Sequence, residues 1–342
     1  MQSSDNRVPT MRDVAREAGV SLMTVSRVVN GEPGVLPETA ARVERAIRKI
    51  GYQRNDMARH LRRNATGTQT VGLVIDDLAN PFFAVLARAV EDQARLRGYL
   101  VLIGSSGDDL RREREAVSAF CSRRVDGLIL VPVSGSHRFL RTQLARGTKV
   151  VCVDRPAEQL QVDTVVVDNR NGALNATNHL LAHGHRRIGY LGDRLDIWTV
   201  KQRYIGFCDA LAAAGLEPDP RLVRHGLRSR ADAAAAAEDV MALPDPPTAF
   251  FASNDLMSVG TLTGLGVRSE QVAVVGFDDF TLADRLVPAV TVVAQDPSAL
   301  GATAAQLLFA RIEGETSAPR EVVLSTRLVK RGSGEIAPPR AA

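Results

Sequence analysis

Between Val71 and Gln295 the chain alternates short, continuously apolar runs with longer stretches of helical period. The runs are VGLVI (71–75), LVLIG (100–104), GLILVPV (127–133), VVCVD (150–154) and TVVVD (164–168), then IGYLG (188–192), AFFAS (249–253), VAVVGF (272–277) and VTVVAQ (290–295). Helical stretches fall near 82–97, 109–123, 137–146, 170–183, 199–214, 229–242 and 255–264. A strand that is apolar along its whole length is covered on both faces, which is the mark of a parallel sheet between layers of helix. The spacing therefore predicts an α/β body over 70–342, made of two lobes of one architecture with a cleft between them. A helix at 297–312 and a strand at 322–329 close it. The first lobe is expected to take about 70–167 and 296–321, and the second about 168–295 and 322–333.

A different pattern precedes the body. Residues 12–30, RDVAREAGVSLMTVSRVVN, read as two short helices joined by a tight turn. Thr10 and Asp13 have the spacing of a capping box. Val14, Ala15 and Ala18 give the first helix one apolar face, and Gly19 suits the left-handed residue that ends it. Ser21 caps the second helix, whose inner residues are Val25 and Val28. Its outer residues are Leu22, Met23, Thr24, Ser26, Arg27 and Asn30, groups that can touch base edges or phosphates. A third helix at 37–50 opens on Pro37 with a weak cap at Leu36, and Val43, Ile47 and Ile50 form its inner stripe. Residues 1–53 thus predict a three-helix bundle containing a helix-turn-helix. The segment RNDMARHLRR (54–63) is shorter than the roughly 12–15 residues that hold a helix alone in water, so 54–69 is expected to be a hinge helix and linker that form only when stabilised.

Charge follows the same division. Residues 1–66 hold 12 Arg or Lys against 7 Asp or Glu, whereas the rest of the chain holds 31 against 32. A basic head on a near-neutral body is the asymmetry of a nucleic-acid-binding module joined to something else. No apolar run reaches the ~18 residues of a membrane span, and MQSSDNRVPT lacks the apolar core of a signal peptide, so a cytoplasmic location and no membrane partner are expected. Cys121, Cys152 and Cys208 are odd in number and far apart, which favours free thiols. His179 and His183 in HLLAHGH stand at a spacing metals use, but the zincin pattern needs Glu where Leu180 stands. No phosphate-binding loop, nucleophile elbow or dinucleotide glycine fingerprint occurs, so neither a metal, a cofactor nor an enzyme activity is expected.

The motifs taken together resemble the lac-repressor (LacI/GalR) family of transcription factors. They are DVAREAGVS and TVSRVVN within 13–30, ARHL (58–61), NPFF (80–83), DGLIL (126–130), VDR (153–155), DN–GA (168–173), GHRRIGYLG (184–192), RYIGF (203–207), ASNDLM (252–257) and VVGFDD (274–279). The resemblance covers about residues 11–333. It implies a helix-turn-helix head, a hinge helix and a body like the periplasmic sugar-binding proteins, acting as a homodimer on palindromic double-stranded operator DNA. No heptad tail follows Arg331, which favours a dimer over a tetramer.

The same resemblance assigns roles. Leu22, Met23 and Arg27 match base-reading positions; Arg27 can bond guanine O6 and N7 together. Ser21, Thr24, Ser26 and Asn30 match phosphate contacts. Leu61 matches the residue that wedges the minor groove, supported by Asn55 and Ala58. The family usually has proline where Arg54 stands, so the preset φ at the start of the hinge helix is missing here. Asn80, Phe82, Phe83, Asp154, Arg155, Thr199, Arg203, Asn254, Asp278 and Gln295 match ligand contacts, and most stand at the carboxyl ends of predicted strands, where open α/β sheets bind ligands. Carboxylate, guanidinium and amide groups suit the paired hydroxyls of a small sugar, with an aromatic ring against its C–H face. Purine-sensing relatives carry an aromatic residue in place of Arg155. LRS (227–229) lacks a stacking aromatic found in many relatives, and Trp198 is the candidate to replace it. The function implied is a sequence-specific repressor of carbohydrate-utilisation genes, relieved by a small sugar or derivative bound between the lobes. A corepressor-type member uses the same parts, and a sugar-binding transport protein is the alternative that the body alone would allow.

Overall fold

A computed structural model describes residues 9–52 and 67–339; Asn55, Ala58 and Leu61 lie outside the described residues. The chain divides into two compact units, Met1–Thr68 and Gln69–Ala342.

The head is a bundle of α1 (Met11–Ala18), α2 (Leu22–Asn30) and α3 (Pro37–Ile50). Its core is Val14, Ala18, Val25, Val43 and Ala46, with Val28, Ile47 and Ile50 packed against it. The Asp13 carboxylate accepts from both the amide (2.9 Å) and the hydroxyl (2.6 Å) of Thr10, which fixes the start of α1. Gly19 has φ 61°, and its amide reaches back to the carbonyls of Ala15 and Arg16. This left-handed residue sets the sharp α1–α2 turn at no steric cost. Leu36 gives α3 no side-chain cap, and Pro37 supplies the preset φ instead.

The body contains two six-stranded sheets. The first is built from β1 (Thr70–Ile75), β2 (Leu100–Ser105), β3 (Gly127–Leu130), β4 (Lys149–Val153), β5 (Asp163–Val167) and β11 (Glu321–Leu324), in the order β11-β5-β4-β3-β1-β2 and parallel throughout. The second is built from β6 (Ile188–Leu191), β7 (Val223–Arg224), β8 (Ala249–Ala252), β9 (Ala273–Phe277), β10 (Thr291–Ala294) and β12 (Arg327–Val329), in the order β12-β10-β9-β8-β6-β7, with only β12 antiparallel. α4 (Pro81–Arg95), α5 (Leu110–Ser122) and α6 (Leu140–Ala145) belong to the first lobe. α7 (Asn169–Ala182), α8 (Trp198–Ala213), α9 (Arg230–Met241) and α10 (Asp255–Leu265) belong to the second, and α11 (Pro297–Ile312) returns to the first. The apolar inner face of α11, with Leu300, Ala304 and Leu308, completes the first lobe's core beside Val71, Leu73 and Val151.

Two helix pairs in the second lobe cross so closely that only glycine fits. A Cβ on Gly206 of α8 would stand 2.1 Å from the Arg170 carbonyl of α7, and one on Gly264 of α10 would stand 2.3 Å from the Ala234 carbonyl of α9.

The boundaries differ from expectation in three places. The strand expected at 322–329 is two strands in different lobes: β11 pairs β5, and β12 pairs β10. The lobe boundary expected after 321 therefore falls after Leu324, and 325–326 form a third crossing beside those at Asp168 and Gln295–Asp296. The helix expected at 137–146 shrinks to Leu140–Ala145, because His137 is buried against Glu113 at 3.1 Å, its amide donates to the Glu158 carbonyl at 3.2 Å, and its carbonyl closes a turn on the Leu140 amide at 3.0 Å before the helix begins. The two-residue β7 was not visible as a pattern, being too short to show a period.

Candidate functional site

In each sheet the chain steps outward first and then reverses, from β1 to β2 and back to β3, and from β6 to β7 and back to β8. The carboxyl ends of β1 and β6 are therefore the switch points at which a crevice opens. Asn80 follows β1 and caps α4, its side chain accepting from the Phe82 amide at 2.9 Å. Thr199 and Arg203 lie in α8, after β6.

Two aspartates hold corresponding places in the two lobes. Asp154 ends β4 and Asp278 ends β9, with φ 72° and 73°. The Asp154 amide donates to the Val165 carbonyl at 2.8 Å and that of Asp278 to the Val293 carbonyl at 2.9 Å. Aspartate tolerates this left-handed conformation better than most side chains. The geometry repeats because the two lobes repeat.

Around Asp278 the second lobe gathers a buried network. Arg203, 4% exposed, donates from Nε to Asn169 Oδ1 at 2.8 Å and from Nη1 to the Ser253 carbonyl at 2.7 Å and Asp278 Oδ2 at 3.3 Å. Its guanidinium lies 3.6 Å over the Phe277 ring. Gln295 donates its amide to Asp278 Oδ1, while its own Oε1 is buried without a partner among the described residues. Such an acceptor calls for a donor, and a ligand hydroxyl is one. Asn254 caps α10, accepting from the Met257 amide at 2.8 Å, and places Asp255 in the cleft beside it.

In the first lobe Arg155 is likewise buried. Its Nε donates to Asp154 Oδ2 at 3.1 Å, and its Nη atoms stand 4.0 Å from Asp76 and 3.9 Å from Asp108. Those two gaps exceed hydrogen-bond length. The fork of the guanidinium therefore keeps donors for another partner.

Burial pushes Asp278 up to about 6, against the pull of Arg203, with the charges of Asp255 and Asp154 adding to the rise. Asp76 and Asp255 are also raised, chiefly by burial. Because the folded value of Asp278 lies above its ordinary 3.8, ionising it opposes folding. That cost is absent below about pH 4 and complete above about pH 7, on the order of 3 kcal/mol. Melting profiles of the wild type and Asp278→Asn should therefore diverge, the wild type losing ground to the variant as pH rises from 4 to 7. Parallel profiles would show that Asp278 has an ordinary carboxyl.

A cavity of about 740 Å³ opens beside this network, between Pro81, Phe82 and Val85 of the first lobe and Asp255, Asp278 and Gln295 of the second. Phe82 reaches it. Phe83, expected to join it, is 5% exposed in the first lobe's core, edge-on to Phe82 at 5.0 Å, because it stands on the face of α4 turned to the sheet. Trp198 begins α8, half-buried, and, like the expected contacts Asn80, Asp154, Arg155, Thr199, Arg203 and Asn254, is not among the residues lining the cavity, which takes only Phe82, Asp278 and Gln295 from the expected set. Asp279, next to Asp278, is tied to Arg331 by a two-pronged pair at 2.7 and 2.6 Å. His179 meets Glu335 at 2.6 Å and His183 meets the His179 carbonyl, so that stretch pins the C-terminal segment. Among the described residues no group of three or more His, Cys, Asp or Glu could hold a metal, and Cys152 is buried with its thiol pushed up to about 12.

Asn169, Asp76, Asp108, Arg194 and Arg228 were missed in the sequence. Asp76, directly after the apolar run 71–75, had the same strand-end signal as Asp154. Asn169 stands in DN–GA (168–173) but was given no role there, and Asp108, Arg194 and Arg228 carry no local signal for a contact that Asp108 makes 86 residues or more along the chain.

On the head, α2 leaves Leu22 and Met23 44% and 68% exposed and Arg27 also open to solvent. Ser21 Oγ accepts from the Thr24 amide at 3.1 Å, and Asn30 donates to Ser26 Oγ at 3.2 Å. The exposed side chains at the start of α2, beside the positive end of its dipole, suit a helix presented to a polyanion.

A helix-turn-helix head on a body of two α/β lobes defines a DNA-binding protein with a small-molecule cleft. Residues 10–55 match the model for bacterial regulatory proteins of the lacI family, and 177–334 that for the periplasmic binding protein-like domain. The HTH-type transcriptional repressor CytR of Escherichia coli (strain K12) is 31% identical over 338 residues, 96% of this chain and 97% of CytR. The solved complex of the transcriptional regulator CelR with cellobiose is 34% identical, covering 95% and 99% of the two chains with a TM-score of 0.69. The lac repressor dimer bound to operator and the anti-inducer ONPF is 25% identical over 97% and 100%, with a TM-score of 0.83. The chain belongs to the lacI family of bacterial regulatory proteins. It is a DNA-binding transcriptional regulator.

Proposed function

We propose that the protein is a repressor of carbohydrate-utilisation genes whose hold on a palindromic operator is relieved by a small, uncharged sugar bound between the lobes. The observation that carries the sugar is the pair Asp278 and Gln295, with its unpartnered Gln295 Oε1, facing Phe82 across one cavity and backed by the buried Arg203. A carboxylate, a guanidinium and an amide bond vicinal hydroxyls, and the ring covers a C–H face. The absence of charge follows from pairing. Arg155 stands against Asp154, Arg194 against Asp108, and Arg203 against Asp278, so a phosphate would find these buried cations already matched and would have only the exposed Arg230 at the cavity wall to meet. The CelR–cellobiose complex supports a sugar as the effector class.

A thermal-shift screen of neutral sugars against their phosphates tests this directly. A sugar at about 100 times its Kd should add roughly 2.7 kcal/mol. Arg155→Ala should erase that shift, and a shift only with phosphorylated sugars would overturn the reading.

On the head we assign base reading to Leu22, Met23 and Arg27, phosphate contact to Ser21, Thr24, Ser26 and Asn30, and the hinge role to Asn55, Ala58 and Leu61. Two heads from a homodimer, at fixed spacing, would supply the specificity that one arginine cannot. Replacing Arg27 by Ala should cost about 1–3 kcal/mol of operator affinity and relax discrimination at one base pair of each half-site. Unchanged discrimination in a binding assay across operator variants would remove Arg27 from that role.

A further inference from the structure

Asp108 lies in the loop between β2 and α5, and it is the point at which guanidiniums from both lobes converge. It is left-handed, with φ 56°, and its loop is tied to the end of β1 by the amides of Ser106 and Gly107, each 2.8 Å from the carbonyls of Ile75 and Asp76. Its carboxylate is 5% exposed. Arg194, from the loop between β6 and α8 of the other lobe, donates to Asp108 Oδ2 at 2.5 Å, and Arg228 of the same lobe stands 3.8 Å from that oxygen. Arg155 of its own lobe stands 3.9 Å from Oδ1, which is buried and has no hydrogen-bond partner among the described residues. A neutral hydrogen bond crosses nearby, from Ser134 Oγ to the Asp196 carbonyl at 2.7 Å, and Arg194 is steadied by Asp196 at 3.0 Å.

The place of this cluster matters as much as its chemistry. The three crossings of the chain lie beside β5, β10, β11 and β12, at one edge of the two sheets. The Asp108 loop follows β2, at the opposite edge of the first sheet, and Arg194 and Arg228 follow β6 and β7, at the opposite edge of the second. A contact there has the longest lever against opening about the crossings.

We propose that Asp108 is a positioning residue that clasps the free edge of the two lobes shut and, from the same carboxylate, orients the Arg155 guanidinium in the closed cleft. The clasp stands on its own, and the orienting of Arg155 for an effector rests on the sugar reading above. Closure and effector recognition then meet in one side chain. Oδ2 senses whether the opposite lobe is in place, and Oδ1 is left for a hydroxyl held jointly with Arg155.

Trp198, the only tryptophan, begins α8 four residues after Arg194 and reports on this edge. Acrylamide quenching of its fluorescence is measured on the full chain without effector, for the wild type, Asp108→Ala, Asp108→Asn, Arg194→Ala and the double alanine variant. Each single alanine variant should raise the quenching constant about twofold as the open population grows, and the double variant should go no further. A quenching constant unchanged in Arg194→Ala, or effects of the two alanines that simply add, would overturn the clasp. Should Asp108→Ala fail to fold, Asp108→Asn and Arg194→Ala decide the same question. With a neutral sugar that binds the wild type, Asp108→Asn should speed dissociation more than it slows association. Failure of every sugar to bind the wild type would refute the sugar reading and leave the quenching result standing.

Discussion

Arg203→Ala should abolish sugar binding and lower the stability of the body by about 3 kcal/mol. The guanidinium is buried, makes three hydrogen bonds and lies on the Phe277 ring. Breaking a buried pair by removing one partner costs about 3–5 kcal/mol, because the other charge is left uncompensated. The lower end applies because Asp278, already up at about 6, would take a proton at neutral pH instead of remaining charged. That proton also removes the acceptor that a sugar hydroxyl needs. Arg203→Lys keeps the charge but loses the fork, so it should recover part of the stability and little of the binding. Urea melts and titration calorimetry separate the two losses, and a full sugar-induced shift in Arg203→Ala would refute the assignment of the site.

The second large effect is structural and reaches the same site. Gly206 stands one helical turn after Arg203 on α8, where that helix crosses α7 against the Arg170 backbone. A Cβ 2.1 Å from a carbonyl oxygen cannot be relieved by a side chain turning away; the helices must part. Gly206→Val should cost at least about 4 kcal/mol, beyond the range of ordinary substitutions. The helix that carries Thr199 and Arg203 would shift with it. A melting temperature within a degree or two of the wild type would show that the crossing is looser than described.

The sequence made the two-lobed plan legible because eight of the nine apolar runs sit in buried strands, which advertise themselves without reference to their neighbours, whereas the run at 100–104 forms the half-exposed edge strand β2. It also placed Asp154 and Asp278, since a carboxylate directly after such a run must lie at a sheet's carboxyl edge. What it could not supply was direction and distance. Phe82 and Phe83 are adjacent and chemically alike, and only the turn of α4 decides that one faces the cavity and the other the core. The stretch 322–329 is two apolar runs around Ser325, Thr326 and Arg327, and the chain changes lobes at that polar break, which the sequence alone left as one strand because the partners of β11 and β12 are set more than 30 residues away. The cluster at Asp108 is largely non-local: the loops after β2, β4, β6 and β7 bring its charges together, and of these only the loop after β4 carries a motif, VDR.

The central claim is that the cleft and the head share one equilibrium. Linkage then requires that a ligand altering DNA affinity by some factor have its own affinity altered by DNA to the same extent. The direct measurement is fluorescence anisotropy of a duplex selected from random sequence by this protein, titrated with the full chain at rising concentrations of a neutral sugar identified by thermal shift. The sugar should weaken duplex binding by roughly 5–150-fold in the wild type and leave Arg203→Ala unaffected. A tightening of similar size would keep the coupling and reverse its sign, as for a corepressor. A sugar that saturates the cleft while the duplex dissociation constant stays constant would contradict the account.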